Sequence, residues 1–286
     1  MNFWLLQIFN GISLGMLLFL LASGLSLIFG LLRIVSMVHG VFYLWGGYIA
    51  YSIVSGTGSY ALAMTGAAAA VCAFGVIVER YLFRQVHGDE IRQILLTFGL
   101  MMILAELALI IWGGASVIIQ RPPWISFAIQ LGPITVPAYR VAVIVTGFFV
   151  AFLLWLLLDK TRIGAMVRAS VDNREIAEAT GIPVQFVFTG VFGLGAALAG
   201  FAGALGGVFV GLYPGADFEI LLLAFVVIIV GGIGSIAGAF VGSLFVGLVD
   251  NFGKVFFPEL AMFTLFIPIV LVLIFKPTGL FGRQLS

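Results

Sequence analysis

Charge is what this sequence has least of. Only 9% of its 286 residues are charged, against roughly a quarter in an average soluble domain. With 63% hydrophobic residues and a mean hydropathy of +1.25, a water-facing globule of this size would expose a large apolar surface. The charges sum to +1 and form no basic patch to neutralise phosphates, which excludes a nucleic-acid partner. Cysteine is scarcer still: Cys72 stands alone in an apolar run, so no disulfide forms within the chain and a buried, unreactive thiol is expected. His39 and His87 are the only histidines. A metal centre needs more nitrogen, sulfur or carboxylate ligands at suitable spacing, and none accompany them. Neither has a serine and an acid nearby in a recognisable triad. No catalytic residue, metal ligand or cofactor is assigned, and the chain is not expected to be an enzyme. An ATP-binding loop of the form G-x-x-x-x-G-K-[ST] is also missing. Gly253-Lys254 is followed by Val255 without the preceding glycine spacing, and Gly232-Ile233-Gly234 lies in apolar sequence without the strand and helix of a dinucleotide site. Nor is there a series of intramembrane acids and bases for proton coupling. Uphill transport by this chain would need ATP hydrolysed by another protein.

What the sequence has in abundance is long uncharged runs. They lie near 5–30, 34–54, 60–78, 94–113, 139–158, 184–211, 220–248 and 260–275. About 20 apolar residues cross a hydrocarbon core of about 30 Å. The runs are continuous rather than alternating, so a membrane β-barrel is excluded and helices remain. The expectation is a polytopic, all-α membrane bundle of about eight apolar segments, forming one transmembrane domain over 1–286. Met1 to Phe9 holds no Lys or Arg and no small-x-small site closes the run, so the first segment reads as a spanning helix rather than a cleaved signal.

Lys and Arg set the orientation, because they stay on the cytoplasmic side. Arg80, Arg84 and Arg92, then Lys160, Arg162, Arg168 and Arg174, then Lys276 and Arg283 mark three inner stretches, which hold most of the thirteen basic residues. Loop 114–138 and the turn with Asp217 and Glu219 then lie outside. This scheme places both ends of 220–248 on one face, although its length is too short for two crossings of about 20 residues each. Its middle reads Gly231-Gly232-Ile233-Gly234-Ser235-Ile236-Ala237-Gly238, and each glycine weakens a helix by about 1 kcal/mol relative to alanine. Two half-helices that dip in and return at a glycine turn satisfy both facts; a straight helix with small-residue faces is the alternative. Such a break survives at depth only inside protein or beside a watery cavity, which points to a pathway. The N-terminus is left on either side, according to whether 34–54 crosses fully between Arg33 and the next loop.

A charge in mid-membrane costs about 2.5–3.5 kcal/mol on insertion scales and is a functional suspect. Glu106 is the clear case, as a pathway group or as a bond to a neighbouring helix. Ser23, Ser26, Thr97 and His39 could join it, although membrane hydroxyls often bond their own backbone. The candidate path is therefore Ser23, His39, Thr97, Glu106, Gly231, Gly232, Gly234 and Ser235. The largest inner loop, about 159–183, carries Arg168–Glu178 as a short mixed-charge surface helix. It reads either as a solvated connector or as a docking helix for a soluble partner.

Four stretches carry a family resemblance. They are Asn10-Gly11-Ile12-Ser13-Leu14-Gly15 through His39-Gly40 and Gly46-Gly47-Tyr48; Glu79-Arg80 with Arg84 and Leu96-Thr97-Phe98-Gly99-Leu100; Thr161-Arg162-Ile163-Gly164 through Gly181-Ile182; and Gly231 to Ala239 with Pro277-Thr278-Gly279-Leu280-Phe281-Gly282. In this order the chain resembles the LivH-type permeases of branched-chain amino acid ABC importers. The resemblance implies a multi-pass permease in a bacterial-type inner membrane, among lipid. Its implied partners are two ATP-binding subunits, a second, LivM-type permease and an extracytoplasmic substrate-binding protein. It also implies that Arg168, Ala169, Asp172, Glu175, Ala177, Glu178 and Gly181 belong to the loop that receives ATPase motion. The outer loop with Pro122, Pro123, Pro133 and Pro137 is either a docking surface for the binding protein or a plain cap. The chain departs from the family where Val41 replaces a common acid after His39-Gly40 and Ser36 replaces Asn. Permeases of similar design serve urea and short amides, so those substrates stand as alternatives, as does a stand-alone channel or facilitator.

Overall fold

A computed structural model describes residues 2–32, 36–86, 89–132, 134–276 and 278–282. Arg33, His87, Pro133, Pro277 and Arg283 lie outside the described residues. The apolar runs become helices, and five of the helix starts carry a polar cap. The elements are α1 (Asn2–Leu32), α2 (Val38–Thr57), α3 (Tyr60–Tyr81), α4 (Glu90–Trp112), a hairpin of β1 (Ala128–Leu131) and β2 (Ile134–Pro137), α5 (Ala138–Lys160), α6 (Arg162–Asp172), α7 (Arg174–Ala179), α8 (Val184–Phe209), α9 (Ala216–Gly231), α10 (Ile236–Phe256) and α11 (Ala261–Phe275). Ser59, Asp89, Thr161, Asn173 and Ser235 each accept a bond from a first-turn N–H, at α3, α4, α6, α7 and α10, where an uncapped helix would leave that donor open. Six helices, α1, α3, α4, α5, α8 and α10, are long and apolar enough to cross a membrane on their own.

Close contacts fix the helix directions. α1 runs antiparallel to α10: Asn251 Nδ2 donates to the Gln7 carbonyl at 2.9 Å, Gly15 abuts Ser243, and Gly30 abuts Gly234. α3 runs antiparallel to α8, with Gly75 on Ala196 and Gly200 on Val71. The N-terminus of α1 therefore lies on the same side as the end of α10, the outer face in the orientation that the basic residues set. α1 and α8 form the buried centre of the bundle. At Gly203 of α8 a side chain would bring a Cβ within 1.8 Å of the Tyr43 carbonyl oxygen, so α2 and α8 cross backbone on backbone.

The helix does break at the glycine run, between Gly231 and Ile236. The limbs are longer than two half-helices inside 220–248, however. α9 has 16 residues and α10 has 21, about 24 Å and 31 Å at 1.5 Å per residue. They reach back to Ala216 and on to Phe256, past the polar pair Asp250 and Lys254, whose 2.7 Å ion pair lets α10 continue. The break sits beside Gly30, near the end of α1, and under the C-terminal segment. In the orientation set by the basic residues, α9 thus runs inward to the break and α10 outward from it, so α11 begins on the outer side.

Candidate translocation path and coupling surface

Four helices meet where α2 begins. His39 is fully buried in the first turn of α2, with Nε2 3.0 Å from where a Cβ on Gly24 of α1 would stand. That same Cβ would lie 2.7 Å from the Gly195 carbonyl of α8. Gly40, the next residue of α2, faces the Asp217 carbonyl at the start of α9. Three absent side chains therefore let α1, α2, α8 and α9 converge around one imidazole. Neither His39 nitrogen has a hydrogen-bond partner of good geometry, although the Leu21 carbonyl lies close. The buried hydroxyls of Ser26 and Ser36 are unpartnered too. Unpaired buried polar groups are costly, and here three side chains holding them come from α1, α2 and the short link between them.

The other expected path residues do not join this group directly. Ser23 donates to the Leu20 carbonyl at 3.0 Å and Thr97 to the Ile94 carbonyl at 2.9 Å, each bonding its own helix. Glu106 is exposed on the outer side of α4 and lines nothing inside the chain. Gly231, Gly232, Gly234 and Ser235 form the break instead. Gly232 has φ +104° and Gly234 has φ +76°, backbone that favours glycine. Ser235 Oγ accepts the Gly238 N–H at 3.0 Å. The open carbonyls at the end of α9 are closed by the C-terminal segment: Leu280 N–H donates to Val230 and Phe281 N–H to Gly231, both at 2.9 Å.

Some polar contacts were not singled out from the sequence. Glu79, near the inner end of α3 and 1% exposed, accepts the Thr189 hydroxyl of α8 at 2.5 Å. Arg140 donates to Asn10 and lies over the Phe209 ring, 5.0 Å from its centroid, tying α1, α5 and α8 at the outer face. A polar residue at each end of an apolar run is the signal that could have found them. Thr189→Val should remove a donor from a buried carboxylate and cost about 1–3 kcal/mol. A lowered melting temperature in detergent, restored by Thr189→Ser, would show it.

The outer loop is pinned across the bundle. Val117 and Leu212 exchange two backbone bonds of 2.8 Å, and Tyr60 Oη donates to the Gln120 carbonyl at 2.6 Å. In the link between α8 and α9, Tyr213 donates to Glu219 at 2.5 Å. That bond, with burial added, pushes the phenol up to about 12.

On the inner face α6 folds straight back from α5. Gly164 lies on the Leu158 carbonyl, and Arg168 bonds that carbonyl while lying 3.7 Å from Asp159. α7 is held by Arg174, which pairs with Glu178 at 3.0 Å and lies over Phe188. Gly181, at φ +86°, turns the chain back, with the Ile182 N–H closing on the Ala177 carbonyl. Ala177 itself is buried and Ala169 partly so, whereas Asp172, Glu175, Glu178 and Gly181 are exposed. Between these polar groups Ile176 is 61% exposed.

A family profile described as the branched-chain amino acid transport system permease component matches residues 7–275. The high-affinity branched-chain amino acid transport system permease protein BraD of Pseudomonas aeruginosa is 29% identical over 295 residues, spanning 98% of this chain and 96% of that protein. LivH of Escherichia coli K12, of the same description, is 27% identical over 299 residues, with the same coverage. A probable LivH of Methanocaldococcus jannaschii is 36% identical over 98 residues, 34% of this chain and 31% of that one. No solved structure matches significantly.

Proposed function

This chain belongs to the family of permease components of branched-chain amino acid transport systems, and from that membership we propose that it is one of the two permease subunits of an ABC importer. It lies in a bacterial inner membrane as one domain over 1–286 and forms part of the path for branched-chain amino acids. ATP is hydrolysed by two separate subunits, while a LivM-type permease and an extracytoplasmic binding protein complete the machine. Near full-length similarity to BraD and LivH supports the substrate class. Val41, where the family commonly has an acid, is fully buried in the core.

The observation that carries the coupling role is Ile176. A large aliphatic side chain turned to the cytoplasm, on a short helix capped at both ends, suits a groove on a soluble partner. Segment 159–183 is then the coupling loop. Asp172, Glu175, Ile176 and Glu178 form its contact face, and Gly164, Ala169, Arg168, Ala177 and Gly181 hold that face rigid. Transport follows as a rigid-body alternation between two states, biased by nucleotide and by the loaded binding protein. His39, with Ser26 and Ser36, offers polar atoms inside the bundle, and the turn from Gly231 to Ser235 closes the inner end.

Purification from native membrane tests this reading. ATPase subunits should accompany the wild-type chain. Ile176→Arg should release them and lower leucine uptake more than about tenfold, the factor that about 1.4 kcal/mol of lost contact gives, with membrane insertion unchanged. A chain that comes out alone and moves solute without ATP would be a facilitator instead.

A further inference from the structure

Glu106 is a carboxylate turned away from its own fold. The buried side of α4 is formed by Gln93, Thr97, Met101, Leu104 and Ala108, and Trp45 Nε1 bonds the Leu104 carbonyl to seat it on α2 at 2.9 Å. At 100° per residue, Glu106 lies half a turn from that stripe. It shares the opposite face with Leu95, Met102 and Ile110, all exposed, and with Gly99, where an added side chain would meet nothing within 4 Å. The spacing is i, i+4, i+7, i+11 and i+15, a seam that fits a second helix. Glu106 lies about 9 Å below the outer end of α4 at 1.5 Å per residue, within the apolar span Ile91–Trp112.

We propose that this seam of α4 is a contact surface for a spanning helix of a different membrane subunit, which presents a hydrogen-bond-donating side chain at the depth of Glu106. The inference rests on the permease reading and adds the surface and the chemistry of the partner. Hydrocarbon leaves an acid uncompensated, so lipid does not suit this position. A second copy does not suit it either, since two-fold pairing across α4 sets Glu106 against Glu106. The chain's exposed cation in α10, Lys254, is already bonded to Asp250 at 2.7 Å. A partner helix with Arg, Lys, Asn, Gln, Ser or Thr removes the conflict, and Gly99 lets it come close.

The test uses the assembled transporter in its native membrane, with photoreactive benzoylphenylalanine in place of Met102 or of Ile110. The expected product at both positions is an adduct with one second membrane protein, mapped by mass spectrometry to a spanning helix with such a donor. Adducts with lipid alone, or with another copy of this chain, overturn the proposal. Glu106→Leu gives an independent sign. On a lipid-facing helix it leaves subunit recovery unchanged or raises it, which also overturns the proposal. At a subunit contact it lowers recovery of the second membrane protein about tenfold, and Glu106→Gln restores most of it. ATPase recovery is scored in the same wild-type preparation. If the ATPases are present without the adduct, the surface is wrong and the importer reading stands; if they are absent, the importer reading itself has failed.

Discussion

Truncation after Lys276 is expected to abolish transport while the remaining helices still insert. The lost segment supplies the N–H groups of Leu280 and Phe281 to the carbonyls of Val230 and Gly231. Without them the last turn of α9 has open acceptors at the inner edge of the bundle, and an unsatisfied backbone group away from water costs several kcal/mol. The turn from Gly232 to Ser235 should then loosen, since Gly232 packs directly on Gly282 and Gly279. A cysteine introduced as Ser235→Cys, with Cys72→Ala as background, should react faster with a water-soluble maleimide after truncation. Phe281→Ala keeps both backbone bonds and removes a ring that is half exposed, so it should leave labelling and transport nearly unchanged. Equal effects from the two variants would mean that the ring, not the backbone clasp, holds the segment.

The second large effect is expected at Gly203. Any Cβ there would lie 1.8 Å from the Tyr43 carbonyl and 2.9 Å from the Gly47 nitrogen, backbone atoms that cannot rotate away. Gly203→Val must force α2 off α8, and overpacking with backbone displacement costs about 1–3 kcal/mol or more. Gly190→Val is the control on the same helix, because nothing lies within 4 Å of that position. The measurement is the yield of monodisperse protein in detergent, which should collapse for Gly203→Val and hold for Gly190→Val. A loss of similar size in both would trace it to the helix propensity of valine instead of to the crossing.

Much of the architecture was legible because lipid simplifies the rules: a long uncharged run has to become a helix, and basic residues mark one side. The break at Gly231–Ser235 was legible for the same reason, since several glycines in a short stretch weaken any helix. Its limbs run beyond the uncharged stretch 220–248, past Asp250 and Lys254. They are i, i+4 partners that neutralise each other, and α10 carries them onward. Glu106 drew attention as a charge in an apolar run, but a run has no sides. The buried stripe of α4 and the bond from Trp45 to the Leu104 carbonyl show which way it is turned. Ala177 illustrates the converse: sequence places it in the inner loop, while burial assigns the outward role to its neighbour Ile176. The convergence at His39 was not visible in the sequence, because Gly40 adjoins the histidine but Gly24 and Gly195 come from other segments.

The pairing of α1 with α8 and α10 also sets a timetable. α1 leaves the ribosome well before α8 and α10, the helices that enclose it. At about 5–20 residues per second, the interval before Phe256 emerges is roughly 10–45 s. During that wait the hydroxyls of Ser13, Ser23 and Ser26 and the bare backbone of Gly11 and Gly15 face lipid or the insertion machinery. α1 is apolar enough to wait, but until α10 arrives it is an unfinished helix whose small-residue face invites other partners. Completion of α10 therefore closes the face of α1 formed by Gly11 and Gly15, long after α1 itself has been made.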